Sequence, residues 1–417
     1  MMPNGKNGNG HQNGKNGPER NGNGKNVNGK NGNGRNNKFT SIILYPYPPE
    51  LDGISLQGEY LYRGLRENGY TTKPCNRRPG FEKDFLFKSY KPDVAIGIGF
   101  WGDTPDLVIS PQENGITPVP WLNADGWVAN YHETLEKLPL IFVTSNWVKE
   151  TYRRDGVFNK NMFPMPIGMD TEQMRPISKY DQRVKSMREA LGVKPDEKMI
   201  LTIGGDTTSK GFQEVLRALG KIDGEFSKWK YVGKSWENRQ PTYHYKAEAE
   251  IIKEFGFRKK VKYIDGPMSR ETMRILLSAA DVYAAPSRIE GFGMIQVEAM
   301  SCGTPVLSVD AMGVKDTVVH RETGFLAKVG ERVDLEQEWV YKDMGFEKKK
   351  IIKFDKPKTF GVRADIDDLA LHLKRMLQDD ALMEKMGKNA RAHAVKNFDY
   401  RKTSLDMARI IEQKLDL

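Results

Sequence analysis

The densest chemistry in the chain lies in Pro286-Ser-Arg-Ile-Glu-Gly-Phe-Gly-Met-Ile-Gln-Val-Glu-Ala-Met-Ser-Cys-Gly-Thr-Pro-Val306. Glu290 and Glu298 stand eight positions apart, with Gly291 and Gly293 between them. A carboxylate only accepts hydrogen bonds, which suits the vicinal hydroxyls of a sugar or a ribose. The glycines let backbone pass close to a ligand. A helix starting near Met294 offers unpaired N–H groups and the positive end of its dipole, which suits a phosphate. Glu290 precedes that helix start, and Glu298 falls just over one turn into it. Two carboxylates flanking a phosphate cradle describe a ligand with hydroxyls at both ends and phosphates between, as in a nucleotide sugar. The bland alternative is a surface helix with two solvated glutamates, and the surrounding Gly, Pro and Ser pattern argues against it.

Such a loop needs strands to hold it. The apolar runs Asp281–Ala285 and Pro305–Val309 bracket a helix over Met294–Met300. They close a series that begins at the strand Met199–Gly205. Between them the pattern predicts helix Phe212–Leu219, strand Trp229–Gly233, helix Tyr245–Phe255, strand Val261–Ile264 and helix Arg270–Ala279. An earlier series has strand Ser41–Pro46, a loop over Pro48–Ser55, helix Glu59–Asn68, and strands Asp93–Gly99, Val119–Leu122 and Leu140–Ser145. Helix Trp147–Arg154 ends it. Alternating strand and helix implies parallel sheets with crossover helices, hence two α/β domains in tandem. The pattern loosens over Thr171–Lys185, the expected linker. Residues 331–360 read as a charged, irregular insertion, and a helical stretch runs from about Asp365 to the end. Ligands bind at the carboxyl ends of strands in open α/β sheets, so the cleft between the domains is the expected site.

The signature region resembles the retaining enzymes of glycosyltransferase family 4, which have the GT-B fold and a Glu-x7-Glu signature. Asp281-Val-Tyr-Ala-Ala-Pro-Ser, Gly303-Thr-Pro-Val-Leu and Thr323-Gly-Phe-Leu are similar to the runs around that signature. Phe398-Asp-Tyr400 is similar to a family ending. In the first domain, Val143-Thr-Ser-Asn-Trp-Val and Pro166-Ile-Gly-Met-Asp170 carry a thinner likeness. The resemblance spans roughly residues 40–400. It implies two Rossmann-like domains facing across a cleft: an acceptor-side domain over 39–175 and a donor-nucleotide domain over 176–395. Residues 396–417 would be a C-terminal helix packing back on the first domain.

The resemblance also assigns roles. Gly204-Gly-Asp-Thr-Thr-Ser-Lys210-Gly takes the place of a "Gly-Arg-x4-Lys-Gly" loop, so Lys210 matches the lysine that neutralises the diphosphate. Gly205 stands where the family has arginine; Lys234 and Arg288 are the candidate substitutes. Gly53 matches a glycine that approaches the phosphates from the other domain, although Ile54 replaces the usual second glycine. Asp265, with Gly266, matches the turn near the nucleotide base. Glu298 would hold the ribose and Glu290 the donor sugar, supported by backbone at Phe292, Gly293 and Met294. Relatives often place a histidine beside the donor sugar, after a first-domain strand. Here Asn123-Ala-Asp125 follows that strand, so Asn123 or Asp125 would contact donor or acceptor. His132, seven positions on, reads as a helix-surface residue. The implied reaction delivers the acceptor on the face that the diphosphate leaves, a phosphate oxygen helping to take the proton, with no enzyme nucleophile and no metal.

Composition bounds the rest. The chain has 417 residues and a formal charge of +10. Residues 1–38 carry seven basic and one acidic side chain, so six of those charges sit in an Asn/Gly/Lys-rich segment that reads as a disordered tail. That leaves little basicity in the remainder to suggest nucleic acid. Cys75 and Cys302 make neither a disulfide framework nor a zinc pair. No run approaches 18 apolar residues, and the N-terminus lacks a secretory apolar core, so a cytoplasmic protein is expected. Gly97-Ile-Gly-Phe-Trp-Gly102 matches GxGxxG, but Asp103-Thr-Pro105 follows where a dinucleotide site needs a helix. Asp365-Ile-Asp367 reads as helix capping rather than as a metal ligand. Lys348-Lys-Lys350 and Arg258-Lys-Lys260 read as solvated faces. Arg63, Arg66, Lys73, Arg77 and Arg78 are candidates for an anionic acceptor or peripheral membrane contact.

Taken together, the expectation is a retaining hexosyltransferase using a nucleoside diphosphate sugar, UDP-linked in preference to GDP-mannose, with a glycan, lipid or protein acceptor. The alternatives are a non-catalytic nucleotide-sugar-binding or scaffolding protein, and an epimerase or phosphorylase of the same fold.

Overall fold

The computed structural model describes residues 38–124, 126–235 and 242–417. Residues 1–37 and Asp125 lie outside the described residues.

The first half builds strands β1 Thr40–Tyr45, β2 Thr71–Asn76, β3 Val94–Phe100, β4 Thr117–Pro118, β5 Trp121–Asn123, β6 Ile141–Val143 and β7 Met162–Pro164. They form one parallel sheet in the order β2-β1-β3-β5-β6-β7, with β4 beside β3. Five of the six residues of β1 are buried, as expected of a strand covered by helices on both faces. The second half builds β8 Lys198–Ile203, β9 Trp229–Lys234, β10 Val261–Ile264, β11 Val282–Ala284, β12 Val306–Val309 and β13 Gly324–Ala327. Their order is β10-β9-β8-β11-β12-β13, again parallel. The architecture is therefore α/β, with two Rossmann-like sheets. One apolar cluster runs from Ile43 and Ile96 in the first sheet through Met169 and Met174 to Leu201 and Val297 in the second.

The last helix, Tyr400–Leu415, returns to the first half and lies on helix Gly53–Glu67. Contact is close enough that a Cβ on Gly64 would stand 2.2 Å from Ser404 Oγ. Tyr70 OH donates to Glu412 at 2.8 Å and Tyr400 OH to Glu67 at 2.7 Å, tying the last helix to the first half.

Several elements depart from the sequence pattern. Helix Gly53–Glu67 begins inside the expected loop, because Asp52 caps it by accepting the Ile54 and Ser55 N–H groups at 2.9 and 3.0 Å. Strand β2 escapes the pattern because it is a polar edge strand, where Pro74 is tolerated. Helix Gln182–Ala190 occupies part of the expected linker. Helical turns Trp101–Asp103, Pro105–Ile109 and Ser110–Glu113 do follow the GxGxxG string. Its glycines serve packing, since a Cβ on Gly97 would stand 2.7 Å from Leu107 Cβ.

The largest correction concerns residues 331–360. They are a long antiparallel hairpin, β14 Val329–Val340 and β15 Lys350–Ala364. Register shifts between Val333 and Asp334 and between Leu335 and Gln337 break the two-residue alternation that would have revealed it. The hairpin springs from the second half and packs on the first. Val340 is fully buried in the first half's outer core, and the Phe354 and Trp127 rings lie 5.7 Å apart. Lys358 Nζ reaches Asp155 at 2.9 Å.

The basic residues of the first half are largely held by internal partners. Arg63 meets Asp170 at 2.9 Å, Arg77 meets Asp103 at 2.9 Å and Arg78 meets Asp106 at 3.1 Å. Arg66 donates to Tyr62 OH, and Lys73 sits over the Tyr90 ring. Asp365 accepts the Asp368 N–H at 2.8 Å and so caps helix Ile366–Gln378. His132 opens the short helix His132–Glu136 and is partly exposed. No helix among the described residues is long and apolar enough to cross a membrane.

Candidate nucleotide-sugar site

Between the two sheets lies a cleft of about 790 Å³. Its second-half wall is made by loops leaving the carboxyl ends of β8, β9, β10 and β11, and its first-half wall by residues 50–54, Leu56, Gln57, Phe100, Asn123, Ala124 and Ile167.

Glu290 sits on the loop between β11 and helix Met294–Ser301. Gly293, in the left-handed region at φ +95°, turns the chain into that helix and offers no side-chain cap. The first N–H groups there are left for a ligand. A Cβ on Gly291 would stand 3.6 Å from Ala124 O, so this loop touches the first half directly. Phe292 is buried edge-on against Phe398, which fixes the loop from behind.

Glu298, one turn into the helix, is fully buried. Its Oε1 accepts from Arg270 Nη2 at 2.6 Å, while its Oε2 has no hydrogen-bond partner among the described residues. Arg270 also donates to Tyr60 OH of the first half at 3.2 Å. Burial opposes the Arg270 charge, but the Glu298 carboxylate overrides it and holds the pKa above the ordinary arginine value. Arg270 was not singled out in the sequence. The signal was present: a cation at the first position of a helix opposes the helix dipole, so it needs a specific partner.

Lys210 ends the loop Gly204–Lys210. Asp206 Oδ1 accepts the Thr208 N–H at 3.0 Å, and buried Glu248 accepts from the Thr208 hydroxyl beneath it. A Cβ on Gly204 would stand 2.5 Å from Lys210 Cγ, so any side chain there would displace Lys210. Lys210 Nζ lies 2.7 Å from Glu290 Oε2. Gly205 also lines the cleft.

Lys234 ends β9 and lines the same cleft. It is only 2% exposed, and burial lowers its pKa against the opposing pull of Asp265. Arg288, the other candidate cation, is turned away onto Glu214 at 2.8 Å and does not line the cleft. Asp265 is itself exposed and outside the lining, although Gly266, Pro267 and Met268 after it are part of it.

On the opposite wall, Gly53 opens its helix and comes within 3.4 Å of Met294 Sδ, measured from a Cβ built on it. Asn123 Nδ2 donates to Gln57 Oε1 at 3.1 Å. Gln57 is 1% exposed, yet its Nε2 has no partner among the described residues. The pair thus presents unused amide capacity to the cleft. Gln57 was missed because the sequence reading placed its helix too late.

With this geometry in hand, comparison with known proteins is informative. Residues 184–339 match the family model described as "Glycosyl transferases group 1". Sucrose-phosphate synthase from Thermosynechococcus elongatus superposes with a TM-score of 0.68 at 17% identity, covering 91% of this chain and all of that one. The chain has the GT-B fold. HepE of Anabaena in complex with UDP-glucose superposes on this GT-B chain with a TM-score of 0.65 at 15% identity, covering 91% of this chain and all of that one. Among curated proteins, an uncharacterized glycosyltransferase of Methanocaldococcus jannaschii is 32% identical over 139 residues, 33% of this chain and 34% of that one. A D-inositol 3-phosphate glycosyltransferase of Mycobacterium marinum is 30% identical over 167 residues, 40% of this chain and 34% of that one. The match thus spans about a third of the length of these relatives.

Proposed function

We propose that this GT-B protein is a retaining glycosyltransferase that moves a hexose from a nucleoside diphosphate sugar, UDP-linked in preference to GDP-linked, to an acceptor hydroxyl. The observation that carries this reading is the convergence of Lys210, Lys234, Glu290 and Glu298 on one cleft of ligand size. The HepE complex with UDP-glucose supports the donor class.

In this scheme Glu298 Oε2 accepts from a ribose hydroxyl while Arg270 holds Oε1. The segment after Asp265 faces the base. The diphosphate lies between Gly53, Gly205 and the N–H groups at Gly293 and Met294, with Lys210 and Lys234 as its cations. Lys234 supplies the charge that Gly205 lacks, and the scheme needs no metal ion. Glu290 accepts from the donor sugar, and the Asn123–Gln57 pair meets it from the other wall. The bond from the anomeric carbon to the phosphate oxygen breaks, and negative charge grows on the diphosphate. Fixed cations in the cleft stabilise that charge more than they stabilise the bound donor. The acceptor hydroxyl adds on the vacated face and gives its proton to a phosphate oxygen. Closure of the two halves would expel water before transfer.

A non-catalytic nucleotide-sugar binder is the second reading, favoured by Gly205 standing in the arginine place. Incubation with UDP-glucose, UDP-N-acetylglucosamine and GDP-mannose, following nucleotide release and product mass, separates the two. Release with a UDP-sugar is expected. Clear binding with no release from any donor would overturn the transferase reading.

A further inference from the structure

The hairpin β14–β15 carries a surface that the transfer scheme does not use. A ribbon with one packed face ordinarily turns polar side chains outward. Its inner face, with Val340, Ile352 and Phe354, packs on the first half. Its outer face carries Trp339, Tyr341 and Ile351, exposed by 44%, 39% and 44%. Trp339 and Ile351 are cross-strand partners. Lys349 Nζ stands 4.7 Å from the Trp339 ring centre and 5.1 Å from that of Tyr341. Gln337 and Lys353, also paired across the strands, extend the same face. By the alternation of the pleat, the outward positions are 337, 339, 341, 349, 351 and 353, and none is acidic.

We propose that this face docks on an anionic lipid bilayer. Trp and Tyr partition to the bilayer interface, where amphipathic rings sit at headgroup level. A lysine held over those rings is placed at the same depth, where it meets anionic headgroups. Lys348 and Lys350 flank it. The hairpin turn also lies beside the cleft's acceptor wall: Met344 packs on Gly102, and Asn130 Nδ2 donates to Met344 O at 3.2 Å. Gly102 and Asn130 follow closely on Phe100 and Asn123, which line the cleft. Docking would turn the acceptor side of the cleft to the membrane, so the acceptor would be a lipid-borne hydroxyl. That last step rests on the transferase reading; the docking itself does not.

The test is co-sedimentation of the full chain with phosphatidylcholine vesicles, with and without phosphatidylglycerol, at low and physiological salt. Binding to the anionic vesicles alone, weakened by salt, is expected. Lys349→Ala should weaken it about fivefold, and Trp339→Ser, Tyr341→Ser and Ile351→Ser combined should abolish it, with UDP binding unchanged in both. Failure of the wild type to bind, equal binding to neutral vesicles, or wild-type binding by both variants would overturn the proposal. So would self-association that the variants lose without any vesicle binding, which would assign the face to a second copy. Absence of nucleotide release from every donor would leave the docking result standing.

Discussion

Lys210 Nζ lies 2.7 Å from Glu290 Oε2, so the cation expected to meet phosphate and the carboxylate expected to meet sugar neutralise each other. They come from loops at the carboxyl ends of β8 and β11, which are neighbours in the sheet. Strand order, not closeness in sequence, makes the pair. In the proposed scheme a diphosphate arriving at Lys210 would compete with Glu290 and free that carboxylate toward the sugar. The two ends of the donor are thereby coupled.

Glu290→Gln tests the coupling. Glutamine keeps an acceptor oxygen but releases Lys210 from its ion pair. UDP alone should bind the variant as well as the parent or up to about 1 kcal/mol better. Transfer should fall by about 10²–10³-fold, because the charged acceptor facing the reacting sugar is replaced by a neutral one. Calorimetry with UDP and single-turnover kinetics read the two effects separately. A matching loss of UDP affinity would show that the ion pair is structural.

Lys234 gives a pH prediction. Burial lowers its pKa below the ordinary 10.5, with Asp265 opposing. The cation is present below that depressed value and lost as pH rises through it. UDP affinity should therefore decline with pH, beginning below the ordinary lysine range. Lys234→Met should remove this dependence and cost about 1.5–3 kcal/mol of UDP binding at neutral pH. The same shift has a stability consequence. The folded chain holds this proton less tightly than the unfolded chain, so the charged lysine destabilises the fold below its ordinary pKa. The variant should bind UDP worse yet melt higher. A lower melting temperature would contradict this.

Among the described residues, Glu298 has a partner on one oxygen and none on the other. Glu298→Ala leaves the buried Arg270 charge with Tyr60 OH as its remaining described partner and should cost about 3–5 kcal/mol of stability. Glu298→Gln keeps an acceptor for Arg270 and should cost less. Both should lose discrimination between UDP and 2′,3′-dideoxy-UDP, since that is read by Oε2. Denaturant titration together with the ratio of the two affinities checks this. Retained discrimination in both variants would remove the ribose assignment.

Five strands of the second sheet and the signature loop were legible because they obey local rules, whereas β13, Gly324–Ala327, was not expected. Val261–Ile264 and Arg270–Ala279 were expected with the bounds observed, since the edge strand still carries Val261, Tyr263 and Ile264 around one exposed lysine and Ser269 caps its helix. The site's remaining parts depend on contacts between distant residues. Arg270 acquires its meaning from Glu298 and Tyr60, and Gln57 from Asn123; neither spacing is local. The hairpin was illegible for another reason. Its apolar residues serve two different surfaces, the first half's core and the outside, and bulges shift the alternation part-way along. Arg288 misled because a basic residue beside the signature loop looks like a phosphate ligand, whereas in the fold it neutralises buried Glu214.

Asp155 shows how the hairpin bears on the cleft. It is about 1% exposed and is held by the Val128 N–H at 2.7 Å, by Arg154 at 2.9 Å and by Lys358 of the hairpin at 2.9 Å. Burial alone would raise its pKa, but these donors hold it below the ordinary aspartate value. Its stabilisation is therefore present above the unfolded aspartate pKa and lost as pH falls through the depressed one. Lys358→Met removes one of three donors and should cost about 1–2 kcal/mol. Asp155→Ala removes the acceptor for all three, leaving Arg154 with Gly126 O, and should cost more, about 2–4 kcal/mol. Val128 and Trp127 belong to the segment that follows Asn123, so loosening the hairpin should loosen the cleft wall that the proposed scheme gives to the acceptor. Lys358→Met should speed hydrogen exchange at residues 126–131 while leaving UDP affinity intact. Exchange as slow as in the parent would show that the hairpin does not hold that wall, and weakened UDP binding would show that its effect reaches beyond it.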